Sequence, residues 1–444
     1  MEIIVIGGIA AGMSVAAKAK RENPNANITV IEKADYISFG ACGLPYYLGE
    51  QFSDAQEMFA RTPEQIEKSG INLLLRTEVT NVDFDNKTVT YIDLETDAQG
   101  DLTYDRLMIA TGATPTIPNI EGVTSKNVFT FTTLESVDRL KSNLDKTKRI
   151  AIIGGGFIGV EVAEQLAPFN KDITLIHSRS HLMNAVFDPE FSEKIEQSLK
   201  AENINVVLNE RAVNFTVKDG EVTQVITEHN SYDVDVVILA IGFKPNTAFL
   251  DWKLDMLSNG AIITDDYGQT SKKDVFAAGD CATVNHRLSG IQYIPLATYA
   301  NKMGRIIGSN IVRDKDDWIK FNGALGTSYL KAGHYEAAST GLTEAQAKAL
   351  NLDIKTTLVN ANNHSNYYPN QQPVMIKLIY NAKDFVLLGA QVAGESEAVL
   401  RIQALTTAIY AGLSTKDLGF MDFGYAPPFA STWEALNVAA NTAK

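Results

Sequence analysis

Only two of the 444 residues are cysteines, Cys42 and Cys281, and the first stands where a thiol could react. Cys42 lies in Ile37-Ser38-Phe39-Gly40-Ala41-Cys42-Gly43-Leu44-Pro45-Tyr46-Tyr47, among glycine, proline and aromatic residues and outside any apolar helical stripe. It opens what reads as a helix, and a helix N-terminus lowers a thiol's pKa and favours the thiolate, which is the nucleophile. No Cys-x₂-Cys or Cys-x₄-Cys pair exists, so a dithiol relay within the chain is excluded. A lone thiolate must cycle through a sulfenic acid or through a mixed disulfide with a small thiol. Cys281, directly after Asp280, reads as a small packed residue.

Two strand–turn–helix units could position such a thiol. Ile3-Ile4-Val5-Ile6 is a β-branched run of the kind buried on both faces. It leads into Gly7-Gly8-Ile9-Ala10-Ala11-Gly12, an Ala-rich helix over Met13 to Arg21, and a second strand, Ile28 to Ile31, that ends at Glu32. This is a βαβ dinucleotide pattern: backbone N–H groups at the helix start hold a pyrophosphate, and the terminal acid accepts from a ribose hydroxyl. Ile9 departs from strict G-x-G-x-x-G. The second unit satisfies it: strand Arg149–Ile153, Gly154-Gly155-Gly156-Phe157-Ile158-Gly159, a helix through Leu166, and strand Ile173–Ile176. Two such units in one chain imply two different dinucleotides. The second strand ends in His177-Ser178-Arg179, where an NADH site usually has an acid; a hydroxyl and a guanidinium there suit a 2′-phosphate, which favours NADPH or dual use.

Leu107–Ala113 and Val236–Phe243 are further buried strands that run into small-Gly turns, and Asp274–Asp280 ends in Gly279-Asp280, with a helix start expected after it. From about Phe321 the pattern changes to strands at Val374–Tyr380 and Phe385–Val392 with a helix at Glu397–Ala411, an antiparallel α+β domain without its own glycine fingerprint.

Lys+Arg total 39 against Asp+Glu 53, a net charge of −14, which argues against nucleic acid or an anionic membrane as partner. Hydrophobic residues at 45% with 21% charged fit folded globular domains, about three at this length. No apolar run reaches the ~18 residues a bilayer requires. The start, MEIIVIGG, reads as a first strand, two cysteines cannot build a disulfide framework, and the expected compartment is the cytoplasm. No metal site is expected.

The paired fingerprints, Thr111-Gly112, Ala278-Gly279-Asp280 and the single Cys42 resemble the single-cysteine flavoprotein disulfide reductases over essentially the whole chain. The resemblance implies an α/β fold with two Rossmann-like dinucleotide-binding domains, FAD in a discontinuous domain over 1–113 and 244–320 and NAD(P) over 114–243. A C-terminal α+β dimerisation domain would follow over 321–444, with no rhodanese-like extension. It implies FAD contacts from Gly7, Gly12, Glu32, Lys33, Thr111, Gly112 and Asp280. NADPH or NADH would meet Gly154, Gly156, Gly159, His177, Ser178 and Arg179, with Glu161 near the nicotinamide. Ala10 stands where the oxidases and peroxidases of the family typically carry histidine. Cys42 to Tyr47, Asn366-Tyr367-Tyr368-Pro369 and Tyr425-Ala426-Pro427-Pro428-Phe429 look like the coenzyme A disulfide reductase version, although Ala41 replaces the Asn that several of those enzymes carry. In that subfamily Tyr425 with Tyr367 or Tyr368 would reach the partner subunit's reactive cysteine, and Lys20, Arg21 and Ser38 would contact coenzyme A.

The expected activity is FAD-dependent, NAD(P)H-driven reduction of coenzyme A disulfide or related small disulfides by a homodimer, with coenzyme A carried as a mixed disulfide on Cys42. Three alternatives stay open: a water-forming NAD(P)H oxidase cycling Cys42 through sulfenate, an NAD(P)H polysulfide or persulfide reductase, and a flavin redox sensor.

Overall fold

The computed structural model describes residues 1–444. They pack as two compact units, one of Met1–Tyr47, Phe52–Thr116 and Phe243–Ala324, the other of Leu48–Gln51, Ile117–Gly242 and Leu325–Lys444.

The first unit is built on β1 (Glu2–Ile6), α1 (Ala10–Glu22) and β2 (Asn27–Ile31). Ile3 to Ile6 are all buried, as a strand covered on both faces demands. α1 begins three residues before the expected Met13, since the alanines from Ala10 fit helix directly after the turn. The sheet is parallel, in the order Val275–Ala277, Arg106–Ile109, β1, β2, Asn72–Leu74. Chain order reverses between β1 and Arg106–Ile109, and the Gly7–Gly12 turn opens at that switch point, where such sheets bind ligands. After Asp280 the expected helix start is replaced by a hairpin, Val284–His286 with Gly290–Gln292, and the helix begins only at Ala297.

The second unit repeats the arrangement with β3 (Arg149–Ile153), α2 (Phe157–Leu166) and β4 (Asp172–Ile176). Its parallel sheet runs Asn205–Val207, β4, β3, Val236–Leu239, Val128–Thr130. Each nucleotide-type sheet is accompanied by a three-stranded antiparallel sheet, Thr77–Asp83 to Gln99–Thr103 in one unit and Ala212–Lys218 to Ser231–Asp233 in the other.

Also in the second unit is a five-stranded antiparallel sheet, ordered Ser328–Ala332, Tyr335–Gly341, Leu387–Gly394, Pro373–Asn381, Ile354–Asn362. The helix expected at Glu397 starts at Ile402, after a short turn. An ionic cluster fastens this sheet to the start of helix Pro189–Ala201. Lys377, 2% exposed, meets Asp188 (3.1 Å), Glu190 (3.0 Å) and Glu344 (2.7 Å), and Gln391 donates to Asp188 (2.7 Å). Removing Lys377 or Asp188, the two buried members, costs about 3–5 kcal/mol, so these residues hold the sheet against that helix. No helix is long and apolar enough to cross a membrane.

Candidate active site

The first glycine turn is shaped by steric necessity. Gly7 has φ +102°, and a Cβ there would lie 2.2 Å from the Ala110 carbonyl oxygen; a Cβ at Gly12 would lie 1.8 Å from that of Gly7. Ile9, just before α1, gives it no side-chain cap, so its first N–H groups are left for a bound anion. Glu32, 9% exposed, accepts from Gly8 N–H (2.6 Å) and Ala34 N–H (2.8 Å); burial pushes its carboxyl pKa up, partly opposed by these bonds.

Thr111 Oγ1 donates to the Asn246 carbonyl (2.7 Å), and Asn246 N–H donates to the Gly112 carbonyl (3.0 Å), fixing the crossover beside the turn. Gly112, at φ +66°, has open space where a side chain would sit. Asp280 is half-buried, its pKa raised by that burial, and its carboxylate has no hydrogen-bond donor within the protein. An uncapped helix start, a glycine cradle and an unpartnered half-buried carboxylate are what a flavin dinucleotide needs for its pyrophosphate and its hydroxyls, so the residues present fit FAD. Lys33, by contrast, is exposed and paired with Glu78 (2.7 Å).

Cys42 sits on the adjoining loop, exposed and in no disulfide, in a short turn (Ala41–Gly43) that runs into the helix Leu44–Leu48. The loop is tied to the glycine turn by Ser38, at φ +54°, whose N–H donates to the Gly8 carbonyl (2.9 Å). A cluster of Tyr36, Phe39 and Phe59, with ring centroids 5.1–5.4 Å apart, stiffens it from behind, and no sequence pattern pointed to Phe59. Lys20 and Arg21 lie at the other end of α1, about 15 Å along its axis from Ala10. Lys20 donates to the Ala26 carbonyl (2.9 Å), and Arg21 is exposed. Cys281 is fully buried, its Sγ facing the carbonyls of Ala278 (3.4 Å) and Ile109 (3.5 Å).

The second turn is built alike. Gly154 has φ +116°, with a Cβ position 2.2 Å from the Ala240 carbonyl oxygen, and a Cβ at Gly159 would lie 1.9 Å from that of Gly154. Gly156 is exposed, faces open space and starts α2 without a side-chain cap, which fits a second dinucleotide. His177 Nδ1 accepts from Gly155 N–H (3.1 Å) and Nε2 faces Asn184 Oδ1 (3.4 Å); burial lowers the imidazole's pKa. Ser178 and Arg179 are exposed.

Glu161 lies within α2. Burial, and after it the neighbouring Glu164 carboxylate, pushes its carboxyl up from 4.5 to about 7. The folded chain therefore holds this proton over a range in which the unfolded chain has lost it, and the site subtracts stability as pH rises from about 4.5 through about 7. Glu161→Gln is expected to match the parent near pH 4.5 and to exceed it by roughly 3 kcal/mol at pH 8, read by denaturant unfolding at both pH values. Equal differences at the two pH values would contradict it.

Two loops 58 residues apart come together in the second unit: Tyr367 and Tyr425 share a hydrogen bond of 2.5 Å between their hydroxyls, 69% and 47% exposed. The bond lowers the Tyr367 phenol's pKa and raises that of Tyr425. Buried Ser365 joins the loops, its N–H donating to the Pro427 carbonyl (3.3 Å) and its Oγ to that of Ala430 (3.3 Å). Tyr368 instead packs edge-on against His364 at 5.4 Å. Neither Ser365 nor His364 carried a sequence signal.

The model of the pyridine nucleotide-disulphide oxidoreductases matches residues 1–304, and that of their dimerisation domain matches 327–436. The chain belongs to this family. The curated NADH oxidase of Enterococcus faecalis is 33% identical, over all of this chain and 99% of that protein. Among solved structures, an engineered water-forming NADPH oxidase bound to NADPH, a mutant of the Lactobacillus brevis NADH oxidase, matches with TM-score 0.96 and 34% identity over 99% of this chain and 98% of that one. Reduced Bacillus anthracis CoADR-RHD matches with TM-score 0.95 and 32% identity over 99% of this chain and 79% of that one. As a pyridine nucleotide-disulphide oxidoreductase the chain is an FAD-dependent enzyme that uses NADH or NADPH, and its fold is the two Rossmann-type folds with a C-terminal dimerisation domain expected from the sequence.

Proposed function

We propose that this enzyme reduces coenzyme A disulfide, or a closely related small disulfide, through Cys42 at the expense of NADPH or NADH. The observation that carries the reading is the Tyr367–Tyr425 pair, two exposed phenols joined by one short hydrogen bond and matched to the region of the dimerisation domain. A second support is the exposed single cysteine on a loop anchored to the first glycine turn.

The Cys42 thiolate attacks one sulfur of coenzyme A disulfide; a Cys42–S–S–coenzyme A bond forms, the substrate S–S bond breaks, and one coenzyme A thiolate leaves. In a cytoplasmic homodimer, the partner's Tyr367, the more acidic phenol of the pair, gives the proton to that leaving thiolate, and the partner's Tyr425 stabilises the phenolate left behind by donating to it. The bound flavin supplies the electron pair taken from the reduced nicotinamide. With that pair and one proton the mixed disulfide opens to the Cys42 thiolate and a second coenzyme A. Gly7, Gly12, Glu32, Thr111, Gly112 and Asp280 would hold FAD, and Gly154, Gly156, Gly159 and Glu161 the nicotinamide cofactor. Ser38, on the same loop as the thiol, and Lys20 with Arg21, at the far end of α1, would contact coenzyme A, the two basic residues at its phosphates. Ser178 and Arg179 offer a hydroxyl and a guanidinium to the 2′-phosphate of NADPH. The NADPH-bound relative was made from an NADH enzyme by changes that replace an aspartate and introduce two arginines and a serine, and no acid stands at the end of β4 here.

The test is nucleotide consumption by the flavin-loaded enzyme, without air and with coenzyme A disulfide as sole acceptor. Fast turnover releasing two thiols per nucleotide is expected. Turnover only in air, without peroxide accumulating, would make the enzyme a water-forming oxidase instead, and turnover only with polysulfide a persulfide-type reductase. Tyr367→Phe should lower disulfide turnover about 10–100-fold with KM nearly unchanged, and Tyr425→Phe by less, since it acts through its neighbour. Equal losses from Tyr368→Phe would contradict this assignment.

A further inference from the structure

Arg401 stands at the start of helix Ile402–Ala411, and its guanidinium reaches both tyrosine loops. Its Nε donates to Glu434 Oε1 (2.5 Å), and its Nη2 donates to the Asn363 carbonyl (2.8 Å). Asn363 lies at the base of the loop that carries Tyr367. Its N–H donates to the Gln372 carbonyl (2.9 Å), and its side-chain oxygen accepts from Gln372 N–H (2.9 Å), which closes that loop. Glu434 ends the loop that carries Tyr425 and caps helix Ala435–Thr442, its other carboxylate oxygen accepting from Leu436 N–H (2.6 Å). The bridge is shielded, with the Arg401 and Glu434 side chains 16% and 12% exposed.

The two loops are therefore joined at two points. Ser365 ties the Tyr367 loop to Pro427 and Ala430, and Arg401 ties the base of that loop to the end of the other. A second tie removes the rotation that a single one would leave. The phenol hydroxyls meet at 2.5 Å, a separation that such a rotation would lengthen. Strand Leu387–Gly394 reaches Arg401 through Ser396 and Glu397, both at positive φ (+55° and +65°), so the arginine's place is held against backbone strain.

We propose that Arg401 is a positioning residue for the disulfide chemistry, its guanidinium fixing the spacing of the two loops so that Tyr425 donates to Tyr367. The proposal rests on the reading that Tyr367 gives its proton to the departing thiolate. The bond from Tyr425, and after it the Ser365 hydroxyl, keeps the Tyr367 phenol below its usual range. Loosening the bridge should return that phenol upward and slow the proton transfer, with neither phenol itself altered.

Removing the guanidinium alone would leave the Glu434 carboxylate shielded and unpaired. The test therefore uses Arg401→Met combined with Glu434→Gln, which keeps an oxygen acceptor for Leu436 N–H and leaves no unpaired charge. In the flavin-loaded enzyme labelled with 3-fluorotyrosine, the fluorine resonances of Tyr367 and Tyr425 are assigned from the two Phe variants and titrated. The double variant is expected to lower the Tyr367 ionisation constant about tenfold relative to the labelled parent, about one pH unit. Its kcat for coenzyme A disulfide should fall about tenfold, with KM and the rate of flavin reduction by NADPH or NADH unchanged. Placed on Tyr367→Phe, the same double change should lower kcat no further, because the group it positions is gone. A Tyr367 titration that does not move, or a loss that multiplies with that of Tyr367→Phe, overturns the proposal. A parent that does not turn over coenzyme A disulfide overturns the reading of the reaction instead, and the fluorine titration then decides on its own whether Arg401 holds the pair.

Discussion

Cys42→Ser is expected to lower coenzyme A disulfide turnover at least about 10³-fold while leaving FAD bound. A serine hydroxyl at neutral pH is neither ionised nor able to exchange with a sulfur–sulfur bond, so the first bond-forming step disappears. The flavin should stay because the groups that fit it are elsewhere: the Gly7 cradle, the Glu32 bonds to Gly8 and Ala34, and the Asp280 carboxylate do not involve the thiol. The control is Cys281→Ser. That thiol is fully buried and burial pushes it up to about 11, so it supplies no thiolate near neutral pH, and its loss should leave turnover within about twofold. The measurement is nucleotide oxidation and thiol release without air, with the visible flavin spectrum of each variant recorded first. A Cys42→Ser enzyme that still releases thiols at the parent's rate would remove Cys42 from the chemistry altogether.

Much of this site was legible before any coordinates, for identifiable reasons. Residues that act through backbone geometry leave a strong mark: Gly7 and Gly154 stand where any side chain would strike a neighbouring carbonyl, so the requirement is local and appears as a motif at the end of a β-branched strand. Cys42 was visible because its type is rare in the chain. What stayed hidden depends on contacts between distant segments. The pairing of Tyr367 with Tyr425, and the preference for Tyr367 over Tyr368, follow from Ser365 holding two loops together, and nothing in either loop encodes the other. The three-stranded sheets are similarly silent, since strands such as Thr88–Asp93 are short and bury only one residue, Val89. His177 shows both sides: the missing acid is evident in the sequence, whereas its service as an uncharged acceptor for Gly155 is a fact of geometry.

The likeness of the two glycine turns supplies a second large effect, because the same substitution in each copy should disable a different cofactor. In Gly7→Ala the new Cβ would lie 2.2 Å from the Ala110 carbonyl oxygen, at a φ of +102° that adds about 1–3 kcal/mol of strain. The turn must open, the N–H groups of α1 lose their aim, and the protein should purify with less than about a tenth of the parent's flavin. Gly154→Ala meets the Ala240 carbonyl at the same 2.2 Å, but in the other unit, so it should keep its flavin and lose about 10²-fold in kcat/KM for NADPH and NADH alike. Gly156→Ala separates strain from obstruction. Its Cβ meets nothing within 4 Å, so thermal unfolding should not change, and any loss of nucleotide binding reports a methyl group standing where the pyrophosphate lies. Flavin content by absorbance, nucleotide kinetics and melting temperature on the three variants decide the matter. If Gly154→Ala sheds its flavin and Gly7→Ala retains it, the assignment of FAD to the first turn and nicotinamide to the second is reversed.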